Sequence, residues 1–271
     1  MRQNALQPVW WVLIGGFSLV PYLWFVLTSW KSPAQVTAIP PEIVPEFHWG
    51  FYLSALRDYG LLRYMRNSAI VASLTTLISI AIGSFAAYSL TRFRLSWTRI
   101  YLMLLLAISM FPQIAIAGPV WRILNALGWL NTYQGIVAAY IALSLPLAVW
   151  ILATFFKELP YEVEEAAMID GCTRAQALWK VVLPLAAPGL FTASILVFIH
   201  VWNEFFFALL ILTNPALQTL PVGIALFPGE YTMPWGEIAA ASTIATLPLI
   251  ALTLIFQRRI VRGLSAGAVK G

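Results

Sequence analysis

The sequence predicts an all-α integral membrane protein with six transmembrane helices. Of its 271 residues, 61% are hydrophobic and only 10% are charged, whereas soluble domains carry about 25% charged residues. The apolar residues also occur in separate runs that are long enough to cross a bilayer as helices. Because Cys172 is the single cysteine, the chain has neither an intramolecular disulfide nor a C-x-x-C metal or redox pair.

Six segments of the chain have the roughly 17 to 25 mostly apolar residues that one transmembrane helix requires. The first is interpreted as a span and not as a signal peptide, because it ends in Thr28-Ser29-Trp30 instead of a small-residue cleavage site. All six are assigned to one transmembrane domain, residues 1–271. The predicted spans are residues 9–30, 68–90, 101–117, 135–156, 189–212 and 238–256.

The positions of Lys and Arg predict that both termini lie in the cytoplasm. Six spans put the termini on one side, and 11 of the 16 basic residues lie on that side, as in the cytoplasmic loops of membrane proteins. The net charge of +5 is therefore a topology signal and does not indicate a nucleic-acid partner. Residues 158–188 then form a cytoplasmic loop between spans four and five, and residues 31–67 and 214–237 form outer loops. The basic tail, residues 258–270, can bind anionic lipid or contact a partner.

The pattern of the cytoplasmic loop predicts two short helices joined by a tight turn. Gly171 can end the first helix by adopting a left-handed conformation, and Thr173 with Gln176 forms a capping-box pattern for the second. We expect Pro184 and Pro188 to end that second helix. Its apolar face is expected to comprise Ala175, Leu178, Trp179 and Val182.

Small residues at the predicted bend would let another backbone approach closely. From periodicity alone, the helix pair could equally lie on the inner membrane surface as an amphipathic element. The small residues are Ala166, Ala167, Gly171 and Cys172.

A spaced motif in this loop favours a protein partner. Glu165-Ala166-Ala167 and Gly171 form the pattern E-A-A-x-x-x-G, and Leu183-Pro184 follows. In its position before the penultimate span, the pattern resembles the signature loop of the membrane-spanning permease subunits of bacterial ABC importers. Five further stretches resemble the smaller permease of maltose-type carbohydrate importers: RNSAIVAS (66–73), MFPQ (110–113), WNEFFFALLI (202–211), TLPVGIALF (219–227) and QRRIVRGLSAGAVKG (257–271).

The resemblance implies that the loop inserts into a cleft of a separate ATP-hydrolysing subunit. The chain has no G-x-x-x-x-G-K-[ST] motif with which to hold ATP itself, so ATP and Mg are expected in two ATP-binding partner subunits. The other implied partners are a second permease, an extracytoplasmic sugar-binding protein and the lipid bilayer of a bacterial inner membrane. The residues implied in coupling are Glu165, Ala166, Ala167, Asp170, Gly171, Leu183 and Pro184.

Polar residues within the spans are candidates for a substrate path. Glu204 is the only acidic residue in the six predicted spans, where a charge costs on the order of 2.5 to 3.5 kcal/mol. His200 is expected to share its helix face. Polar groups beside flat apolar surfaces suit a sugar, but Glu204 could instead pair with His200 or a neighbouring subunit and hold helices together. The candidates are Gln113, His200, Trp202, Asn203, Glu204 and Phe205.

The outer loop 214–237 contains no Lys or Arg and is rich in Pro and Gly. By resemblance it meets the external binding protein, with Pro221, Val222 and Gly223 as contact residues. The alternative is a solvated connector.

The sequence favours a permease subunit of an ATP-driven importer for a di- or oligosaccharide, glycoside or polyol, working by alternating access. One alternative is a permease for another solute, such as a glycerol phosphodiester, although no predicted span carries the Arg or Lys that an anion requires. The others are an ATP-independent transporter and an intramembrane enzyme with His200 and Glu204 as acid and base. No nucleophile or metal-ligand set accompanies that pair, so no catalytic or metal-binding residue is predicted.

Overall fold

The regular elements of the computed structural model are all helices. The structure describes residues 7–93, 97–228 and 233–266, and no strand occurs among them. The elements are α1 (Gln7–Ser29), α2 (Pro33–Val36), α3 (Gly50–Arg57), α4 (Leu61–Arg92), α5 (Thr98–Ser109), α6 (Gln113–Ala126), α7 (Tyr133–Glu158), α8 (Tyr161–Ile169), α9 (Arg174–Ala177), a π-helix (Leu178–Val182), α10 (Leu183–Leu185), α11 (Ala187–Trp202), α12 (Phe206–Ile211), α13 (Leu220–Ala225) and α14 (Trp235–Ala266).

In the described part of the chain, four helices are long and apolar enough to cross a membrane, and they correspond to predicted spans one, two, four and six. The helix of the second span begins at Leu61, so the last residues of the predicted outer loop 31–67 are helical. At its start, this helix extends beyond the apolar residues of the predicted span, and Arg63 and Arg66 lie in its first two turns. The candidate spans are Val12–Ser29, Leu61–Arg92, Tyr133–Glu158 and Trp235–Gln257.

Two further pairs of helices are apolar enough to cross a membrane but are sharply bent. α5 and α6 meet at 90°, and the predicted span at residues 101–117 falls across this bend. Pro112 has no N–H to donate and restricts the residue before it, and α5 therefore ends at Ser109. If each bent pair is one span, the chain has up to six spans. The protein is a multi-pass membrane protein.

The second bent pair lies at the end of the loop 158–188. The run Arg174–Leu185 meets α11 at 78°, with Ala186 at the bend. The prediction that Pro184 and Pro188 end the second helix is wrong. Pro184 lies within the run, and Pro188 lies in the first turn of α11, where a missing N–H leaves no helical hydrogen bond unmade.

The chain divides into two compact units. The first comprises Met1–Met65 and Val222–Ile250, and two of its glycines lie against aromatic rings. A Cβ atom at Gly223 would lie 2.4 Å from the ring of Tyr64, and one at Gly236 would lie 2.3 Å from the ring of Phe51. A side chain at either position would require the neighbouring ring to shift.

The second unit comprises Arg66–Pro221 and Ala251–Gly271. Its core joins α4, α7 and α11 to the loop 158–188, because Leu178 and Val182 pack in the same cluster as Tyr88, Leu152 and Phe156. The loop is thus part of the bundle core.

The basic tail lies largely outside the described part of the structure. α14 extends to Ala266, but the side chains from residue 258 onward and the whole of residues 267–271 are not described. Lipid binding and partner contact by this tail stay predictions.

We expect Gly189→Ala to destabilise the protein, because the new Cβ would lie 2.3 Å from Cγ of Phe155. Overpacking of this kind costs about 1 to 3 kcal/mol. Gly118→Ala is the matched control, since nothing lies within 4 Å of its Cβ position. Thermal denaturation of the detergent-solubilised protein should show a lower Tm for the first variant only. Equal Tm values would contradict the packing described for α11.

Candidate functional site

The prediction that the loop 158–188 contains two short helices joined by a tight turn is confirmed. α8 ends at a turn in which Gly171 has φ +91°, a conformation that a side chain makes unfavourable. Thr173 Oγ1 accepts a hydrogen bond from the Gln176 N–H at 3.3 Å, and Gln176 Oε1 accepts one from the Thr173 N–H at 2.9 Å. The capping box therefore starts the second helix at Arg174. We call residues 160–186 the coupling segment.

The tip of the coupling segment presents a small exposed surface. Glu165, Ala166 and Asp170 are exposed, and Ile169 is 85% exposed. Ala167, which we expected to be open to another backbone, is buried against its own chain. A partner can therefore contact one side of α8 and the turn, while the other side packs on the bundle.

The π-helix changes which residues of the second helix are buried. Leu178 and Val182 are buried as predicted, but Trp179 is 58% exposed within the π-helix. Ala175, which precedes the π-helix, is exposed as well. Pro184 accounts for the wider turn, because its ring clashes with the carbonyl four residues earlier in an α-helix. The Leu183 N–H instead bonds to the Leu178 carbonyl, five residues back. The extra residue rotates the apolar face.

Of the two motif residues that follow the π-helix, Leu183 packs against the core cluster, whereas Pro184 is exposed. Leu183 and Pro184 therefore shape the attachment of the coupling segment to α11.

A buried ion pair attaches α8 to the end of α4. Arg92 Nε lies 2.9 Å from Glu164 Oε2, and the two side chains are 3% and 4% exposed. Tyr88 Oη donates a hydrogen bond to Glu164 Oε1, and Arg92 Nη2 donates one to the Leu159 carbonyl at 3.2 Å. Arg92 Cζ also lies 4.6 Å from the centre of the Tyr161 ring. The Tyr161 hydroxyl donates a hydrogen bond to the Arg92 carbonyl at 2.5 Å. The charges are thus surrounded by partners.

This ion pair is not among the features predicted from the sequence. Glu164 precedes the E-A-A motif and Arg92 ends the second predicted span, so each has an ordinary local interpretation as a helix-end acid and a topology marker. The only local signal is the doubled glutamate, Glu164-Glu165, of which one is buried and the other exposed.

Gln113 and His200 are brought together at a cavity of about 390 Å³. The cavity lies at the bend between α5 and α6, against α7, and its walls are mostly apolar. Ser109 adds a hydroxyl. No Lys, Arg, Asp or Glu lines this cavity in the described structure. Its apolar lining includes Leu106, Phe111, Leu143, Pro146 and Phe207.

Glu204 occupies a different place from that predicted. α11 ends at Trp202, so His200 and Glu204 do not share a helix face. The Glu204 carboxylate accepts the N–H groups of Phe207 at 2.9 Å and Ala208 at 3.2 Å, and Tyr140 Oη donates a third hydrogen bond to it. This carboxylate caps α12, and it is 7% exposed. The predicted continuous span 189–212 is therefore broken at residues 203–205.

The remaining candidates of the substrate path lie at the same break. Trp202 is the last residue of α11, and Asn203 and Phe205 lie between α11 and α12. Trp202 is buried, with its ring 5.6 Å from that of Phe198. Asn203 is exposed and donates a hydrogen bond to the Ile199 carbonyl at 2.8 Å. Phe205 is also exposed. None of the three, nor Glu204, lines the cavity.

The residues expected to contact a binding protein are mostly inside the chain. Pro221 is half-buried, Val222 is fully buried, and Gly223 lies against Tyr64. Among residues 220–228, the exposed residues are Ala225, Leu226 and Pro228. Burial of Val222 and Gly223 contradicts a direct contact of these two residues with the binding protein. Contact between the binding protein and the outer loop 214–237 stays a prediction.

Comparisons with known proteins now give the family. Residues 79–266 match the family model described as the inner membrane component of binding-protein-dependent transport systems. The chain belongs to this family. It is 43% identical over 261 residues to the sulfoquinovosyl glycerol transport system permease protein SmoH of Agrobacterium fabrum, covering 96% of this chain and 91% of that protein.

A second relative and a solved structure are also similar to this chain. The trehalose/maltose transport system permease protein MalG of Thermococcus litoralis is 42% identical over 278 residues, with 100% of both chains covered. The crystal structure of a bacterial ABC transporter involved in the import of the acidic polysaccharide alginate has a chain with TM-score 0.77 and 24% identity. The alignment covers 95% of this chain and 98% of that one. This structural likeness shows the permease fold.

We expect Glu164→Ala to destabilise the permease by about 3 to 5 kcal/mol, because it leaves the Arg92 charge buried without its partner. Glu165→Ala is the matched control one residue away, where an exposed side chain should contribute within about 0.5 kcal/mol. The free energy of unfolding in detergent measures both. Similar values for the two variants would contradict the buried ion pair.

Proposed function

We propose that this chain is the membrane-spanning permease subunit of an ATP-driven, binding-protein-dependent sugar importer that works by alternating access. The observation that carries the proposal is the coupling segment, whose tip is exposed while its base lies in the core of the bundle. Movement of a soluble partner at the tip would move the transmembrane helices. Relatives named for trehalose/maltose and for sulfoquinovosyl glycerol support a carbohydrate cargo.

The proposed topology has six spans, each bent pair counting as one. Both termini then lie on the same side, and the excess of basic residues on that side supports a cytoplasmic location. The coupling segment faces the cytoplasm, and the exposed residues Ala225, Leu226 and Pro228 face the outside. The membrane is the plasma membrane of a bacterium.

The soluble partner at the tip is an ATP-hydrolysing subunit. Glu165, Ala166, Ile169 and Asp170 supply two carboxylates and a small apolar surface, which suits a cleft with basic and apolar walls. The importer contains two such subunits, and they hold the ATP and Mg. The Gly171 turn lets the segment enter the cleft without a projecting side chain.

A second permease completes the pathway, and an extracytoplasmic binding protein delivers the sugar. Apolar side chains such as Phe17 on α1 and Ile114 on α6 are exposed by 87% and 71%. Exposed apolar surface of this extent fits a partner or lipid. The cavity beside Gln113 and His200 would then form part of a path shared by both permeases.

Gln113 and His200 are the proposed sugar-path residues of this chain. An amide and an imidazole among apolar walls can hydrogen-bond sugar hydroxyls while the walls contact the faces of the ring. The absence of charged residues from the described cavity lining favours a neutral carbohydrate over a glycerol phosphodiester. Glu204, which already accepts three hydrogen bonds, is assigned a structural role. The three bonds likewise leave it unsuited to act as an enzymatic acid or base.

We expect Gly171→Leu to uncouple transport from ATP hydrolysis. The substitution puts a bulky side chain at a left-handed turn that has open space around it in this chain, so the bundle should still insert into the membrane. In proteoliposomes of the complete importer, sugar uptake per ATP hydrolysed should fall about tenfold. Gly171→Ala adds the backbone strain with little bulk and should have a smaller effect. Unchanged uptake by the Leu variant would contradict the docking role.

The cargo class is tested by stimulation of ATP hydrolysis in the intact complex with its binding protein. We expect mono- and disaccharides, glycosides or polyols to include a stimulating compound, and glycerol phosphodiesters to give no stimulation. Gln113→Leu should lower uptake of the stimulating sugar, because the apolar isostere cannot hydrogen-bond it. Stimulation by a phosphodiester alone would contradict a sugar importer.

A further inference from the structure

α4 is the one span-length helix of the described structure that has neither a proline nor a break. Kinks in helices occur mainly at proline, and the other three long helices contain Pro21, Pro146 and Pro248. From Asn67 to Arg92, α4 advances about 38 Å at 1.5 Å per residue, which exceeds the roughly 30 Å of a hydrocarbon core. This part of α4 is therefore stiff and long enough to connect the two membrane surfaces.

One end of α4 holds the chain before α13. Asn67 is fully buried, and its Nδ2 donates hydrogen bonds to the carbonyls of Ala216 at 3.0 Å and Gln218 at 2.9 Å. Its Oδ1 accepts a hydrogen bond from Tyr133 Oη at 2.8 Å. The Asn67 amide thus satisfies the carbonyl of the buried Gln218 and attaches the exposed Ala216 to the same end of α4.

Ser68 adds a second attachment at the same end. Its Oγ accepts a hydrogen bond from the Leu220 N–H at 2.7 Å, at the first residue of α13. Together, Asn67 and Ser68 hold residues 216–220 against α4. We call this set the outer clamp.

The other end of α4 holds the coupling segment. Arg92 pairs with Glu164, and Tyr88, one turn earlier on α4, donates to the same carboxylate. We call these three residues the inner clamp. All residues of both clamps belong to the second compact unit, so α4 connects them within one packed body.

We propose that α4 transmits docking of the binding protein to the ATP-hydrolysing subunits, with Asn67 and the Arg92–Glu164 pair as positioning residues at its two ends. This inference rests on the proposed function, because it requires both partners. A shift of residues 216–220 on docking would move a stiff helix along with them. The inner clamp would then shift the coupling segment in its cleft, so that ATP is hydrolysed when a loaded binding protein is present.

A double-mutant cycle across the bilayer tests the inference in the reconstituted importer. The variants are Asn67→Ala, Glu164→Gln and the double variant, and the readout is the ratio of binding-protein-stimulated to basal ATP hydrolysis. We expect each single change to lower the ratio about fivefold, within the usual range of coupling between sites. Because the clamps act in series, the double variant should lower it no further than about fivefold. Independent sites this far apart would combine to about 25-fold.

Ser84→Ala is the control on the same helix. Ser84 Oγ bonds only to the Ile80 carbonyl of α4 itself, so this change should leave the ratio unaltered. If Glu164→Gln does not assemble, Tyr88→Phe replaces it, since that variant removes only the hydroxyl donor. Leu77→Pro, compared with Leu77→Ala at the same exposed position, should kink α4 and abolish stimulation.

The outcomes separate the inference from the proposed function. If the unmodified importer shows no stimulation by any loaded binding protein, the proposed function fails. If stimulation is present but the two changes multiply, α4 does not connect the clamps and only the inference fails. Transmission through α4 is supported if the double variant has the same ratio of stimulated to basal ATP hydrolysis as the single variant with the lower ratio.

Discussion

The position of the coupling segment depends on a buried ion pair. Arg92 and Glu164 would each be costly inside the bundle alone, and they are tolerated because Tyr88, Leu159 and the ring of Tyr161 surround them with partners. If α8 separated from α4, the charges of Arg92 and Glu164 would either remain unpaired among apolar side chains or need to be hydrated by water. The pair therefore fixes the position of the exposed tip of α8 relative to α4.

Helix breaks give the bundle its second functional feature. Pro112 bends the chain between α5 and α6, and the break at residues 203–205 lets the Glu204 carboxylate cap α12. Irregular backbone within a membrane protein is tolerated where its polar groups are satisfied inside the protein. The first break lies beside the cavity that carries Gln113 and His200, so a bent span and not a straight helix forms the candidate path.

Local signals made much of this predictable. The left-handed Gly171 and the capping box of Thr173 and Gln176 act within a few residues, and the predicted turn is confirmed. Contacts between distant residues could not be predicted, since no spacing rule links Arg92 to Glu164 or Asn67 to Gln218. Burial of Val222 and Ala167 was missed for the same reason: it depends on what packs against them. The π-helix and the break after Trp202 changed faces that a regular helical period would predict.

Because the ion pair joins them, α8 and α4 are expected to move as one body when the importer changes state. Spin labels at Glu162 on α8 and Leu77 on α4, both exposed, with Cys172 replaced, report the distance between these helices by pulsed electron paramagnetic resonance in the assembled complex. We predict the same distance distribution in the nucleotide-free and ATP-bound states. A distribution that shifts on ATP binding would contradict the account, because the coupling segment would then move independently of the helix to which Arg92 attaches it.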